Sequence, residues 1–306
     1  NHSYQNFSEL ESILIKKEFA PCIHAFAEIE TYCGVAQLYK DHENTDLPYT
    51  FVEYLENGNR PVLVLHDMWN PLINTATTSA HKIVKNSLEL GAQSNSVLNT
   101  IITGPNAGGK STFMKGVGID VVLAQTFGIA AATSMVMTPF ASINSYMNIV
   151  DDLEKGESLF KAEVKRAHAL FEKVTGLEKG KFSFSVVDEM FSGTSPKEGE
   201  AATYSIAKKI GTSNHSAMLL ATHFPKLKQL ASETGNFKNY QVRVIRNADG
   251  TITYPFKLED GFATQNVAFD ILKQEGFSSS ILDDAQQVLD DEEKEKEQTT
   301  KVVGIL

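Results

Sequence analysis

A chain of 306 residues, 42% hydrophobic and 22% charged, is long enough to bury a full core as one large domain or two modest ones. No apolar run approaches the ~20 residues that span a bilayer, and the N-terminus lacks a basic-then-apolar secretory signal, so the sequence reads as cytoplasmic, without membrane association. The net charge of −10 excludes a strongly basic nucleic-acid-binding body: −6 of it falls between Asp283 and Glu297, and the remaining −4 or so contains no basic block.

Residues 9 to 40 predict a long helix. Ile15, Phe19, Cys22, Phe26, Ile29, Cys33 and Ala36 recur at alternating four- and three-residue intervals, the seam of a helix packed on another helix. Pro21 is expected to kink or interrupt it. One buried amphipathic helix and the end of a longer lever-like arm both fit this pattern. Cys22 and Cys33 share that face and read as buried thiols in a reducing cytosol, not as a disulfide or a metal site. Residues 41 to 96 predict one strand, Pro61–Leu65, among loops rich in Asn, Thr and Ser.

From Val97 strands and helices alternate. A strand reaches Ile102, helices cover Ser111–Phe127 and Ser158–Thr175, and an apolar strand runs Phe182–Val187. Helix follows at Glu198–Ile210, strand at Ala217–Ala221 and helix at Pro225–Ser232. Such alternation predicts an α/β fold with a mostly parallel sheet flanked by helices. Tyr240–Arg246 and Thr251–Leu258 predict a hairpin through Asn247, Ala248, Asp249 and Gly250. Helices at Thr264–Glu275 and Ser278–Glu293 close the domain, and the last dozen residues read as solvated or disordered. No internal repeat is evident.

The most specific segment is Gly104-Pro105-Asn106-Ala107-Gly108-Gly109-Lys110-Ser111-Thr112, set between a strand and a helix. Its Gly-x-x-x-x-Gly-Lys-Ser core is a P-loop: glycines let backbone N–H groups turn around phosphate, and the helix N-terminus adds a positive dipole end. Lys110 can reach the β- and γ-phosphates and the Ser111 hydroxyl can ligate Mg²⁺. Downstream, an apolar strand ends in Asp188-Glu189. In a P-loop ATPase the first carboxylate supports Mg²⁺ through water and the second polarises the attacking water. His223, just past the next strand, is placed to sense or orient a γ-phosphate. Ser158 is a natural N-cap; a helix N-terminus with a serine could equally close on a partner's γ-phosphate across a dimer.

The P-loop, Asp151-Asp152-Leu153 with Gly156-x-Ser158-x-Phe160, Asp188-Glu189 with Gly193-Thr194-Ser195, and Thr222-His223 occur in that order. Together they resemble the ATPase domain of MutS-type DNA mismatch repair proteins. The resemblance extends upstream, where Ala27-Glu28-Ile29-Glu30 to Ala36 is similar to a helix returning from the lever and clamp region. His66-x-x-x-Asn70-Pro71-Leu72 is similar to the family's Arg-His-Pro segment. In all, the likeness covers about residues 20 to 285.

It implies an ABC-type P-loop ATPase that uses ATP and Mg²⁺ and forms a homodimer around two composite sites. Residues 1–45 would end a lever region, 46–285 would form the ATPase domain and 286–306 a charged, flexible tail. Lys110 and Ser111 would bind phosphate and Mg²⁺, Asp188 would support the metal, Glu189 would activate water, His223 would be the switch histidine, and Ser158 would act in trans. Gly193-Thr194-Ser195 would lie at the dimer seam. Ile83, Val84 and Phe256 are the nearest matches to the family's adenine clasp. DNA would be held by domains beyond this chain, which would be a C-terminal fragment without a mismatch-reading domain. Downstream repair factors are possible partners, and the setting would be the cytoplasm and nucleoid.

Ala107 departs from a common methionine, Leu159 from a threonine, and Ser192 and Tyr146 from arginines. These mark a divergent branch with an altered trans-acting surface. Two alternatives remain at this stage: another ABC-type DNA repair or chromosome ATPase, and a nucleotide-gated interaction module with little turnover. Glu157-Ser158-Leu159-Phe160 does not match the Leu-Ser-Gly-Gly-type signature of the first, and intact Asp188, Glu189 and His223 weigh against the second.

Overall fold

A computed structural model describes residues 19–56, 58–73, 83–92, 96–149, 158–249, 251–263 and 267–303. Residues 9–18 of the first expected helix, the segment from Asp151 to Glu157, Gly250 and the expected helix start at 264–266 lie outside the described residues.

Two sheets form the body. The larger has six strands: β4 (Asn99–Thr103), β7 (Ser142–Tyr146), β8 (Ser183–Asp188), β9 (Ser216–Ala221), β10 (Phe237–Val242) and β13 (Leu258–Asp260), in the order β13-β10-β4-β9-β8-β7. All neighbours are parallel except β13, which is antiparallel at the edge. Every residue of β4 and β9 is buried, as parallel strands covered on both faces require.

Successive side chains leave opposite faces of these strands. Ile102, Val186 and Leu219 enter a core with Phe113, Met114, Val117 and Val121 of α2 (Lys110–Phe127). Ile101, Val187 and Leu220 enter a second core with Ala167, Leu170 and Val174 of α3 (Leu159–Thr175) and Ala207 and Ile210 of α4 (Pro196–Gly211). Each fully buried apolar side chain of this size contributes roughly 1.5–3 kcal/mol.

The second sheet corrects the expectation of loops. β1 (Thr50–Tyr54), β2 (Leu63–Met68), β3 (Asn86–Leu90), β5 (Ile129–Ala130) and β6 (Ser134–Met137) pair in the order β3-β2-β6-β1-β5. The expected strand at Pro61–Leu65 is β2, which starts two residues later and runs on through His66 and Asp67 to Met68. Leu63, Leu65, Met68, Leu88, Leu90, Met135 and Met137 close the far side of the α2 core, so this sheet encloses α2 with the larger one.

The first helix, α1 (Ala20–His42), carries Pro21 in its first turn, where a missing N–H costs nothing, and it corrects two expectations. Phe19, Cys22, Phe26, Ile29, Cys33 and Ala36 are exposed, so the seam faces no other described helix. Both cysteines are exposed free thiols. The helix meets the body only near its C-terminal end, where Val35, Leu38 and Tyr39 pack against Tyr49, Trp69, Ile129 and Ala131. His42 stacks on Trp69 with ring centroids 5.6 Å apart. Beneath this joint the wholly buried Asp120 of α2 accepts a hydrogen bond from Ala131 N–H at 2.8 Å.

Further along, the expected hairpin forms in two pieces: β11 (Ile245–Arg246) pairs antiparallel with β12 (Ile252–Thr253), and below them β10 pairs antiparallel with β13, Val242 opposite Leu258, while its other edge joins β4. A 3-10 turn at Pro225–Lys228 leads into α5 (Gln229–Thr234). The last described elements are α6 (Ala268–Gln274) and α7 (Ser279–Val303), which continues as helix into the stretch expected to be solvated or disordered. Among the described residues no helix is long and apolar enough to cross a membrane.

Candidate functional site

Strands β4, β8 and β9 are adjacent and parallel, so the P-loop, Asp188-Glu189 and His223 emerge at one edge of the sheet. Backbone bonds stitch that edge: Glu189 N–H donates to Ala221 O at 3.0 Å and Thr222 N–H to Ile102 O at 3.1 Å. After β4 the loop tightens into a 3-10 turn, Asn106–Gly108, and Gly109 adopts φ +90° before the helix begins at Lys110. A side chain at Gly109 would be strained there, and its Cβ would stand 3.0 Å from the Phe256 ring.

Lys110 is 2% exposed and donates to Gly104 O at 2.7 Å and Pro105 O at 3.2 Å. Burial lowers its pKa from the usual lysine value, and the charges of Glu189 and Asp188 oppose that fall. His223 Nε2 lies 2.8 Å from Glu189 Oε1 and 2.6 Å from Asn106 Oδ1. Both are acceptors, so this nitrogen carries the proton and shares it between them. The hydrogen bond from His223 is the main reason Glu189 sits below the ordinary carboxylate range; burial opposes it, while the charges of His223 and Lys110 assist. Glu189 and Phe191 both have left-handed backbone, φ +51° and +61°. Such strain persists only where surrounding structure holds it.

Two cavities flank the P-loop. A polar one of about 300 Å³ is lined by Ser111, Asp188, Glu189, Glu163, Ser192 and Tyr146, among others. Asp188 Oδ1 is buried without a hydrogen-bond partner among the described residues. Together with Ser111 on the same cavity it offers a hard oxygen pair. No cluster of three metal-ligating side chains occurs among the described residues. That donor set suits Mg²⁺, which keeps several waters and takes its remaining ligands from phosphate.

The second cavity, about 450 Å³, is largely apolar and brings Ile83, Val84 and Phe256 together with Asn106, Ala107, Gly109 and Thr112 of the P-loop. Buried Asn86, which sequence reasoning missed, fixes Phe256 from both sides: its Nδ2 donates to Phe256 O at 3.0 Å, and its Oδ1 accepts from Leu258 N–H at 2.8 Å. Asn70 Nδ2 donates to Thr112 O at 2.8 Å, tying the Asn70-Pro71-Leu72 segment to the helix that follows the P-loop. Gly108 is buried behind the loop.

Ser158 is exposed at the N-terminus of α3 and lines neither cavity. The structure therefore does not bring it to the Lys110–Glu189 cluster of its own chain. Gly193 and Thr194 follow the carboxylate loop, and Ser195 precedes α4 with its hydroxyl 3.1 Å from Glu198 Oε2. Tyr146 is buried; burial first and the Glu163 charge second push its phenol up. Glu163 also escaped sequence reasoning. The available signal was its place at the head of the apolar stripe Ala167, Leu170, Val174, where a carboxylate is costly unless paired.

The family model for MutS domain V matches residues 100–293. A DNA mismatch repair protein MutS from Streptococcus uberis is 31% identical over 189 residues, covering 62% of this chain and 22% of its own length. One from Alkaliphilus oremlandii is 27% identical over 314 residues, 98% of this chain and 32% of its own. One from Microcystis aeruginosa is 31% identical over 299 residues, 95% and 32% respectively. The chain spans about a third or less of the length of these relatives. With the family model matching more than half of its residues, the chain belongs to the MutS family, by its domain V.

Proposed function

We propose that the chain binds and hydrolyses Mg-ATP as the ATPase and dimerisation domain of a MutS-like mismatch repair or DNA-processing protein, its nucleotide state controlling a DNA clamp. The observation that carries this reading is the convergence of Lys110, Asn106, Glu189 and His223 at one edge of three parallel strands, beside a polar cavity and an apolar one. In this scheme Ile83, Val84 and Phe256 clasp adenine, and the backbone of Gly104 to Gly109 cradles phosphate. Lys110 exchanges its carbonyl partners for phosphate oxygens. Ser111 and Asp188 would hold Mg²⁺, which when bound neutralises phosphate charge. Glu189, kept ionised by His223, orients and polarises the attacking water, while His223 responds to the γ-phosphate.

Exposed Ser158, which lines neither cavity of its own chain, supports a homodimer in which it serves the partner's nucleotide beside Gly193-Thr194-Ser195. On the same reading residues 1–45 end a lever, 46–285 form an ABC-type ATPase domain and 286–306 a charged extension. DNA and downstream repair factors are engaged through the longer assembly, in the cytoplasm at the nucleoid.

ATP hydrolysis and sedimentation in Mg-ATP, comparing wild type with Lys110→Ala and Glu189→Gln, test this. Lys110→Ala should lose binding, and Glu189→Gln should bind nucleotide and accumulate as a dimer without turnover. Wild type that binds nucleotide but neither hydrolyses nor dimerises, with Glu189→Gln indistinguishable from it, would instead favour a passive nucleotide-gated module.

A further inference from the structure

The loop that follows Glu189 is gripped from the side by a group with no place in the reaction scheme. Glu163 stands on the second turn of α3 and is 1% exposed. Its Oε1 accepts from Ser192 N–H and from the Ser192 hydroxyl, both at 2.9 Å, and its Oε2 accepts from Gly193 N–H at 3.1 Å. Three donors on one carboxylate compensate its burial, and they do so only while the loop keeps this shape.

Neighbouring side chains of the same helix close on the same loop. A Cβ at Gly193 would come within 2.9 Å of Leu159 Cγ and 3.1 Å of Glu163 Oε2, so the backbone runs directly against α3. The Phe160 ring meets the Phe191 ring at 6.1 Å, edge to face. Residues 191–193 are thus held by Phe160, Leu159 and Glu163 together. Just upstream, Glu189 and Phe191 occupy left-handed backbone that neither residue type favours. Contacts from outside the loop must maintain it: Glu189 N–H is bonded to Ala221 O, Met190 O accepts from the Thr203 hydroxyl at 3.1 Å, and the Glu163 bonds hold Ser192 and Gly193.

We infer that Glu163 is a positioning residue: through Ser192 and Gly193 it holds the carboxylate loop in the form that aims Glu189 at His223 and into the cavity shared with Ser111. It thereby couples the hydrolytic carboxylate to the end of α3 that carries Ser158. This rests on the ATPase reading above.

The test compares Glu163→Ala, Glu163→Gln and Ser192→Ala with wild type in the full chain. It measures kcat and KM for Mg-ATP, the stoichiometry of a fluorescent ATP analogue, and Tm. Glu163→Ala removes all three bonds. Glu163→Gln keeps one acceptor but turns an N–H toward the N–H of Gly193. Ser192→Ala removes the hydroxyl bond alone. Because misplacement of a catalytic group by about 1 Å costs on the order of 10²-fold, kcat should fall by about that factor in Glu163→Ala. The fall should be smaller in Glu163→Gln and a few-fold in Ser192→Ala, with KM and stoichiometry unchanged. If Glu163→Ala does not fold, the other two variants carry the test.

Wild-type kcat in both Glu163→Gln and Ser192→Ala overturns the inference. So does a loss of kcat that merely tracks lost stoichiometry. A wild-type chain without Lys110-dependent turnover overturns the ATPase reading and this inference with it. Turnover that is indifferent to Glu163 and Ser192 overturns the inference alone.

Discussion

Replacing Asp120 by Asn should abolish the pH dependence that this one side chain imposes on stability. Asp120 is completely buried on α2; Oδ1 accepts from Ala131 N–H, and Oδ2 has no hydrogen-bond partner among the described residues. Burial raises its pKa from 3.8 to about 7, against the lowering effect of the Ala131 bond. A folded value above the unfolded one means the folded state holds its proton more tightly. This group's contribution is therefore fully present below the unfolded value of 3.8 and is lost as pH rises through the folded value of about 7. At 1.36 kcal/mol per pH unit of difference, the loss approaches about 4 kcal/mol. Asn keeps the acceptor for Ala131 N–H and never ionises, so it lacks this loss. Urea unfolding of wild type and Asp120→Asn from pH 4 to pH 8 isolates the effect, since titration of all other groups cancels in the difference. The variant's advantage should grow steadily between pH 4 and pH 7 and then level off, on top of any constant offset from the new amide. A difference that stays flat across the range, or shrinks as pH rises, refutes the reasoning.

Phe256→Ala should weaken binding of Mg-ATP about tenfold while leaving kcat at saturation near wild type, because a lost ring contact is worth roughly 0.5–1.5 kcal/mol; equilibrium titration with a fluorescent analogue reads it. Phe191→Gly sets two effects against each other: it relieves left-handed strain of about 1–2 kcal/mol but removes a ring that is 4% exposed, so packing wins and stability should fall by about 2 kcal/mol in denaturant unfolding. Cys22 and Cys33, both exposed, should react with a disulfide reagent in the native protein as fast as in urea; slow native reaction would contradict their placement.

The parallel sheet was readable because β4, β8 and β9 each hold a short apolar run (Ile101-Ile102, Val186-Val187, Met218 to Ala221) and helix-forming residues follow each one. The P-loop and the Asp188-Glu189 pair were readable because their chemistry is local in sequence. The second sheet was not. β1 and β3 place only alternate or isolated apolar residues, and β5 is two residues long, so their pairing is decided by long-range contact with α2. Cys22 and Cys33 misled for the opposite reason: a regular apolar spacing records that a face wants a partner, not that one is present. Glu163 and Asn86 act through backbone bonds to loops distant in sequence; helical spacing marks Glu163 as buried, but it does not name the loop that Glu163 holds.

The chain contains a single tryptophan, and it stands where α1 meets the body. Trp69 is 4% exposed, its indole N–H donates to Pro48 O at 3.0 Å, and His42 from the last turn of α1 lies over its ring. The adjacent Asn70 is bonded to the helix that follows the P-loop. The molecule thus carries its own optical gauge. Emission from one unlabelled fluorophore, quenched or released as the imidazole slides or lifts, reports how α1 is seated while nucleotide is titrated into the neighbouring cavity.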